Sequence, residues 1–402
     1  SGAREHALCW SLKTSGIEVH CVPGNAGMAR FAVVCHDGPI DDLTAHLALA
    51  RDLGVDYSVV GPELPLTLGI NDIFLKAGAA IIGPNRKGAM LEGSKCHCMQ
   101  FLRKAGVPVP KFQICTTAQE AYEFWYAGLV SRPQVIKADG LAAGKGVVVT
   151  DEPEQAQIAI SRLARKGQIL LQDRLEGQEC SFMVLTDGET ALPLLPVRDY
   201  KQLNGKMTGG MGGYAAQPLP DQLAAEIMER IVQPTISALR KAGIVYRGVL
   251  YFGLMIVEGE PFVLEINCRF GDPETQIVIP LLRTDLYELL NEVARGSLKG
   301  IELEWEDERA VGVVLASPGY PDDPSGVYWI EGLAGAESEK VIVFHAATQL
   351  TSGQFWWDGG RMLTVVGFGS EFASARQAAY EAAGRIEYEG KQCRSDIAEE
   401  VL

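Results

Sequence analysis

No run of about eighteen apolar residues occurs anywhere in the chain, so no segment reads as a membrane-spanning helix. Basic charge is scarce: 36 lysines and arginines stand against 51 aspartates and glutamates, a formal net charge of −15. A surface that tracks nucleic-acid phosphates needs the opposite balance, so no nucleic-acid partner and no membrane partner are expected. The nine cysteines (Cys9, Cys21, Cys35, Cys96, Cys98, Cys115, Cys180, Cys268 and Cys393) include no Cys-x-x-Cys pair, and no histidine spacing completes a zinc site. They read as reduced thiols of a cytoplasmic protein. Signal-peptide patterning, repeats and low-complexity segments are also lacking. Ser1-Gly2-Ala3-Arg4 reads as the second half of a Gly-rich phosphate turn, whose strand is expected before residue 1.

What is present is enough for several cores. A chain of 402 residues with 47% hydrophobic content is expected to form two to four domains or subdomains. Its most informative stretch runs from Val135 to Thr150. Apolar β-branched ends ask for two strands, and the small-residue middle has nothing bulky to pack. Gly140, Gly144 and Gly146 let the backbone turn sharply and bring N–H groups near a ligand, while Lys137 and Lys145 add positive charge. A polyphosphate suits such a loop; a surface hairpin with two solvated lysines would use the same residues. The loop is not a P-loop, because Lys145 is followed by Gly146 and a strand instead of Ser or Thr and a helix.

Residues 1–92 alternate helix and strand. Helices are expected near Ala7 to Lys13, Leu43 to Leu53 and Leu66 to Ala77, with strands at Glu18 to Val22, Asp56 to Val60 and Ala80 to Ile82. This rhythm implies a parallel, doubly wound sheet, with ligands beyond the carboxyl ends of its strands. The turns Pro23-Gly24-Asn25-Ala26-Gly27 and Gly61-Pro62-Glu63 lie at such ends. Ser94 is expected to cap a helix that Gly106 and Pro108 stop. Further on, a helix is expected over Asp221 to Ala242, and a hairpin over Gly248 to Val257 and Pro261 to Asn267, turning at Glu258-Gly259. The last hundred residues carry strands near Ala310 to Ala316 and Met362 to Gly367 and a helix near Phe372 to Arg385.

Glu265-Ile266-Asn267 is the second sharp signal. Alternate strand residues share a face, so Glu265 and Asn267 project together while Leu264 and Ile266 face a core. A carboxylate beside an amide oxygen offers hard ligands to Mg²⁺; an edge strand facing water would show the same triplet. Arg269, two residues on, could hold an anion on that side.

These stretches, with the Gln172 to Glu179 hinge between them, resemble the ATP-grasp superfamily. Gly2-Ala3-Arg4-Glu5-His6-Ala7, Pro23 to Gly27, Val60 to Glu63, Lys137 to Val147 and Glu265 to Gln276 more specifically resemble the glycinamide ribonucleotide synthetase family, from Gly2 to about Ile397. The resemblance implies a multidomain α/β and α+β fold. It comprises a Rossmann-like N-terminal domain (1–92), a central ATP-grasp domain (93–110 and 183–304), a lid subdomain (111–182) and a small C-terminal α+β domain (305–402). It implies an ATP-dependent carbon–nitrogen ligase of purine biosynthesis, joining glycine to 5-phosphoribosylamine through glycyl phosphate with Mg²⁺ or Mn²⁺. By position, Lys95, Lys137 and Lys145 match phosphate-binding lysines, Asp173 and Leu175 the adenine hinge, and Glu179 the ribose contact. Glu265 and Asn267 match metal ligands. Arg269 and Asp272, with Lys145, match the groups near glycine and the transferred phosphate; Arg4, Asn25 and Glu63 match those that hold the ribose phosphate.

Two departures stand out. Lys206-Met207 runs straight into Thr208-Gly209-Gly210-Met211-Gly212, without the acidic segment the family usually carries, and Lys166-Gly167-Gln168 is short for a lid. Mobile loops absent from the sequence are the expectation at both. The oligomeric state is not fixed by the sequence; a monomer is favoured. Competing readings are another ATP-grasp carboxylate–amine ligase, a silent nucleotide-binding regulator and a dinucleotide oxidoreductase. The N-terminal motifs argue against the first, the retained Lys137, Lys145, Glu265 and Asn267 against the second, and the partial Gly-rich turn is too weak for the third.

Overall fold

The computed structural model describes residues 1–31, 33–127, 135–141, 146–215, 219–324, 326–346 and 348–402. The first helix, Ala3–Thr14, begins earlier than its apolar pattern suggests, because Gly2 caps it in extended backbone and the Glu5 carboxylate accepts from the Gly2 N–H at 2.7 Å. The expected doubly wound sheet is present as two parallel pairs. His20–Cys21 lies beside Val34–Cys35, and Ser58–Val59 beside Ile81–Ile82. A cavity of about 470 Å³ separates the pairs, lined by Leu8 and Leu12 of the first helix, Val59 and Phe74 among others. The helix Leu43–Leu53 ends at Gly54 in the left-handed region (φ 64°). The helix expected over Leu66 to Ala77 is instead two, Glu63–Leu68 and Ile70–Lys76, broken at Gly69, whose φ of 95° no right-handed helix accepts.

The lid carries a four-stranded antiparallel sheet in the order Phe112–Cys115, Ile169–Gln172, Val135–Ala138, Val147–Val149. Helices Ala118–Ala127 and Pro153–Leu163 bury Ala121, Ala156, Ile160 and Leu163 in one cluster with Ile136, Ile169 and Leu171 of that sheet. Residues 142–145, and so Lys145, lie outside the described residues.

The centre is one nine-stranded sheet. Its order runs Glu260–Asn267, Gly248–Val257, Gln178–Thr186, Val197–Asp199, Gly212–Ala215, Arg309–Ala316, Arg361–Gly369, Val341–His345, with Ala191–Pro193 beside Gln178–Thr186. This sheet runs across two of the expected divisions. Residue 182, the expected end of the lid, falls inside Gln178–Thr186, a strand whose residues up to Thr186 pair with Gly248–Ile256. The lid sheet therefore stops at Gln172. The expected C-terminal part, 305–402, joins the same sheet, since Gly212–Tyr214 pair directly with Val311–Val313. Strand pairing across sequence-distant segments leaves no local trace in the sequence.

Local chemistry shapes the rest. The hairpin turns at Glu258 (φ 51°) and Gly259 (φ 87°), the two positive φ values a tight two-residue turn requires. Lys206–Met207 closes an equally tight hairpin onto Gln202–Leu203 through Asn204 and Gly205. The helix expected over Asp221 to Ala242 contains a wide turn, Met228–Val232, just ahead of Pro234, which lacks the N–H a regular ladder needs. First and last parts of the chain meet where the His345 N–H donates to Nδ1 of buried His6 at 2.9 Å. Among the described residues no helix is long and apolar enough to cross a membrane.

Candidate active site

The helix Lys95–Lys104 begins under the Gly-rich lid loop, and the two are joined at their ends. Ser94 caps the helix through the His97 N–H, while its hydroxyl donates to Asp139 at 2.9 Å. The Cys96 N–H also donates to Asp139 at 3.1 Å, so a lid carboxylate sits on the positive end of the helix. Lys95 Nζ donates to the Gly140 carbonyl at 2.7 Å. The stretch that looked like a free phosphate loop is thus docked on the body of the protein at Asp139 and Gly140.

A cleft of about 190 Å³ lies beside this junction. Lys95, Leu141, Gly146 and Val147 line one side; Glu265, Asn267, Arg269 and Asp272 line the other, with Glu63, Glu92, Lys201 and Thr208 completing the wall. The Glu260–Asn267 strand sets Glu265 and Asn267 two residues apart at the cleft; a bulge skips Leu264, which is half-buried and also lines the cleft, so of the two residues expected to face a core only Ile266 is fully buried.

Electrostatics here is a balance of buried opposites. Burial pushes the Glu265 carboxyl up, but Lys201, Lys137, Lys95 and Arg269 outweigh it and hold the group below its ordinary range. Lys201 Nζ stands 3.7 Å from Glu265 Oε1 and 3.6 Å from Asp199 Oδ2. Burial would favour neutral Lys201, yet Asp199, Tyr251, Glu265 and Glu179 hold its charge firmly. Lys137, with 7% of its surface exposed, donates to the Leu264 carbonyl at 3.1 Å, and burial draws its pKa down to about 8. Arg269 Nε pairs with Glu92 at 3.2 Å and Glu63 at 3.6 Å, and its Nη2 donates to Asn267 Oδ1 at 3.3 Å. Burial lifts the Glu92 carboxyl despite Arg269 and the Cys268 N–H, which donates to it at 2.7 Å.

A divalent metal fits this geometry. Lys201 already places a cation on Glu265, and the donor pair of carboxylate and amide oxygen is hard. Among the described residues no group of three or more His, Cys, Asp or Glu side chains is arranged to hold a metal. Further ligands would therefore come from nucleotide phosphates and water, as Mg²⁺ prefers.

The structure brings together Lys95, Glu63, Glu265, Asn267, Arg269 and Asp272 of the expected set. Asp272 is already engaged: Oδ2 pairs with Arg361 at 2.9 Å and Oδ1 accepts from Gln276 at 2.8 Å. Lys137 sits behind the cleft. Asp173, Leu175 and Glu179 stand farther along, where the lid sheet gives way to the central one, outside the cleft lining. Burial raises the Glu179 carboxyl. Arg4 and Asn25 are both buried and do not line the cleft. Arg4 is spent on Glu5 at 2.7 Å and the Phe270 carbonyl at 3.2 Å. Asn25 caps a short helix through the Met28 N–H and donates to the carbonyls of Ser1 and His345.

Several site residues were not singled out from sequence: Glu92, Lys201, Asp199, Tyr251 and Glu274. Buried Glu274 accepts from Tyr251 at 2.6 Å and from Ser181 at 3.2 Å. The polar run Arg198-Asp199-Tyr200-Lys201 beside a Gly-rich turn was a usable signal for Lys201. Glu92 had none, being one acid in a short helix.

Models of the phosphoribosylglycinamide synthetase N domain, ATP-grasp (A) domain and C domain match residues 1–92, 93–275 and 310–400. A phosphoribosylamine–glycine ligase of Synechocystis is 42% identical, over 100% of this chain and 98% of the relative. One from Caldanaerobacter subterraneus is 40% identical over 99% and 97%. The crystal structure of phosphoribosylamine–glycine ligase from Thermotoga maritima superposes with a TM-score of 0.84 at 34% identity, covering 99% of this chain and 98% of that one. A biotin carboxylase domain from Hydrogenobacter thermophilus, at 17% identity, 98% and 90% coverage and a TM-score of 0.69, shares the fold alone. With all three domain models in register and full-length relatives near 40% identity, the chain belongs to the phosphoribosylglycinamide synthetase family.

Proposed function

We infer that this protein is an ATP-dependent ligase that joins glycine to 5-phosphoribosylamine in purine biosynthesis, giving glycinamide ribonucleotide, ADP and phosphate. The observation that carries the reading is the cleft itself, with Lys95 on the lid side facing Glu265, Asn267 and Arg269 on the sheet side. A carboxylate is a poor acyl donor because it would have to expel oxide. Transfer of the γ-phosphoryl group of ATP to the glycine carboxylate gives glycyl phosphate, a mixed anhydride. The amine nitrogen then attacks the carbonyl carbon, the C–O bond to phosphate breaks, and an amide remains.

The chain's own groups supply placement and charge. Lys95 and Lys137 neutralise the nucleotide phosphates, with Lys145 assigned there from sequence. Asp173, Leu175 and Glu179 take the base and ribose. Glu265 and Asn267 would hold Mg²⁺ or Mn²⁺, which would supply charge to neutralise phosphate oxygens. Arg269 orients the glycine carboxylate, fixed by Glu92 and Glu63 behind it. Arg4 and Asn25 act through the turns they hold, and Asp272 as a wall of the cleft. The cytoplasm is the compartment that suits this chemistry and the nine free thiols.

The test is ADP release on mixing ATP, Mg²⁺, glycine and freshly made phosphoribosylamine. Release should require both glycine and the amine. ADP formation indifferent to both would refute the ligase. Glu265→Gln should lower metal-dependent turnover by at least two orders of magnitude, on the scale of losing one transition-state donor.

A further inference from the structure

The C-terminal strand Arg361–Gly369 opens with an arginine that no motif marked. Arg361 does not line the cleft; it stands immediately behind two pieces that do, Gly209 and Asp272. Its Nη1 donates to the carbonyls of Gly209 at 2.9 Å and Asp272 at 3.0 Å, and its Nη2 to the Asp272 carboxylate at 2.9 Å. One planar guanidinium therefore fixes the distance between two walls that lie 63 residues apart in sequence, 209 and 272. The approach is close. A Cβ on Gly209 would lie 3.3 Å from Arg361 Cζ, and one on Gly210 would lie 2.5 Å from Pro273 Cδ. From the N-terminal side, Arg4 grips the Phe270 carbonyl, two residues before Asp272. The segment that follows Arg269 is thus held from both ends of the chain.

We propose that Arg361 is a positioning residue for the acyl half of the reaction. It sets the gap between the Thr208–Gly209 wall and the Asp272 wall in which glycine is phosphorylated, and so makes the C-terminal part a component of the active site. The inference rests on the ligase reading above. Among the described residues, the side chain of Arg361 donates to Gly209, Gly210 and Asp272 and to neither Lys95 nor Lys137, the lysines given to the nucleotide phosphates, so its effect is selective. An ammonium group cannot serve several acceptors in one plane, so lysine is a poor replacement.

The experiment uses the full chain with Arg361→Ala and Arg361→Lys. It reads kcat/KM for glycine at saturating ATP and amine, ADP affinity by calorimetry, and the effect of added guanidinium ion. Arg361→Ala is expected to lose at least tenfold in kcat/KM for glycine while ADP affinity stays within twofold. Millimolar guanidinium should restore part of that loss, and Arg361→Lys should recover little of it. Glycine kcat/KM within twofold of wild type in a folded variant overturns the proposal. Equal losses in ADP affinity and glycine kcat/KM also overturn it, since they mark a general structural role. If the alanine variant shows no cooperative melt, the lysine variant decides by the same glycine-selective criterion. Failure of the ligase reading is told apart because it appears in the wild type, as ADP release that ignores glycine, and the proposal then falls with it.

Discussion

Lys137 is a cation held in the protein at a cost that its ligand should remove. Among the described residues it has one hydrogen-bond acceptor, the Leu264 carbonyl at 3.1 Å, and burial carries its pKa from an ordinary 10.5 to about 8. A shift of that size corresponds to roughly 3 kcal/mol that the charged form takes from stability at neutral pH. Lys137→Met removes the charge and keeps most of the side-chain volume, while forfeiting the donor to Leu264, a loss of about 1 kcal/mol. The variant is therefore expected to be more stable than wild type by about 2 kcal/mol without nucleotide near pH 7. The sign with pH follows from the depressed value. The folded lysine loses its proton near 8 and the unfolded one near 10.5, so wild-type stability rises across that window and the gap to the variant closes. Nucleotide should reverse the order: MgATP at about a hundred times its Kd adds roughly 2.7 kcal/mol to wild type and much less to the variant. Urea titrations followed by tryptophan fluorescence, at pH about 7 and about 10, with and without MgATP, read all three effects. A variant less stable than wild type near pH 7 without nucleotide, or a gap unchanged by pH, would refute the reasoning.

Other outcomes follow from single contacts. Glu92→Ala leaves Arg269 without its nearest carboxylate and the Cys268 N–H without an acceptor, and should cost about 3–5 kcal/mol in urea unfolding; a loss under about 1 kcal/mol would contradict the pairing. Gly210→Ala places a Cβ 2.5 Å from Pro273 Cδ at a φ of 113°, and should cost about 1–3 kcal/mol along with most glycine-dependent turnover, both read against wild type. Ser94→Ala removes the helix cap and the hydroxyl that ties Asp139, so it should destabilise by about 1 kcal/mol and weaken ADP binding in calorimetry; unchanged affinity would show that the lid junction does not serve the nucleotide.

Elements whose signals are local were legible in the sequence. Ser94 caps the helix it was expected to cap, Glu258-Gly259 makes the expected turn, and the period-2 pattern placed Glu265 and Asn267 on one face. What the sequence hid was contact between distant segments. Nothing near residue 182 announces that its strand belongs to a sheet shared with residues 248–257, and nothing near Arg361 announces Asp272. The two ends of Gly69's neighbourhood are both helical by pattern, so only its positive φ separates them. In the cleft, residue type pointed to Glu265 and Arg269, but the partners that set their charge, Lys201 and Glu92, come from segments 64 and 177 residues away.

The N-terminal part carries a consequence for how the molecule breathes. Its helix Leu43–Leu53 buries no residue fully. Regions so thinly packed open in native-state hydrogen exchange well below the free energy of global unfolding. The strand Ser58–Val59 leads directly to Glu63, which reaches across to Arg269 at 3.6 Å. Opening there releases a wall of the cleft, and a ligand that braces Glu63 and Arg269 must slow that opening in return. The amides of Ser58 and Val60, which donate to the carbonyls of Ala80 and Ile82, should therefore act as distant gauges of occupancy, exchanging more slowly whenever the cleft is filled.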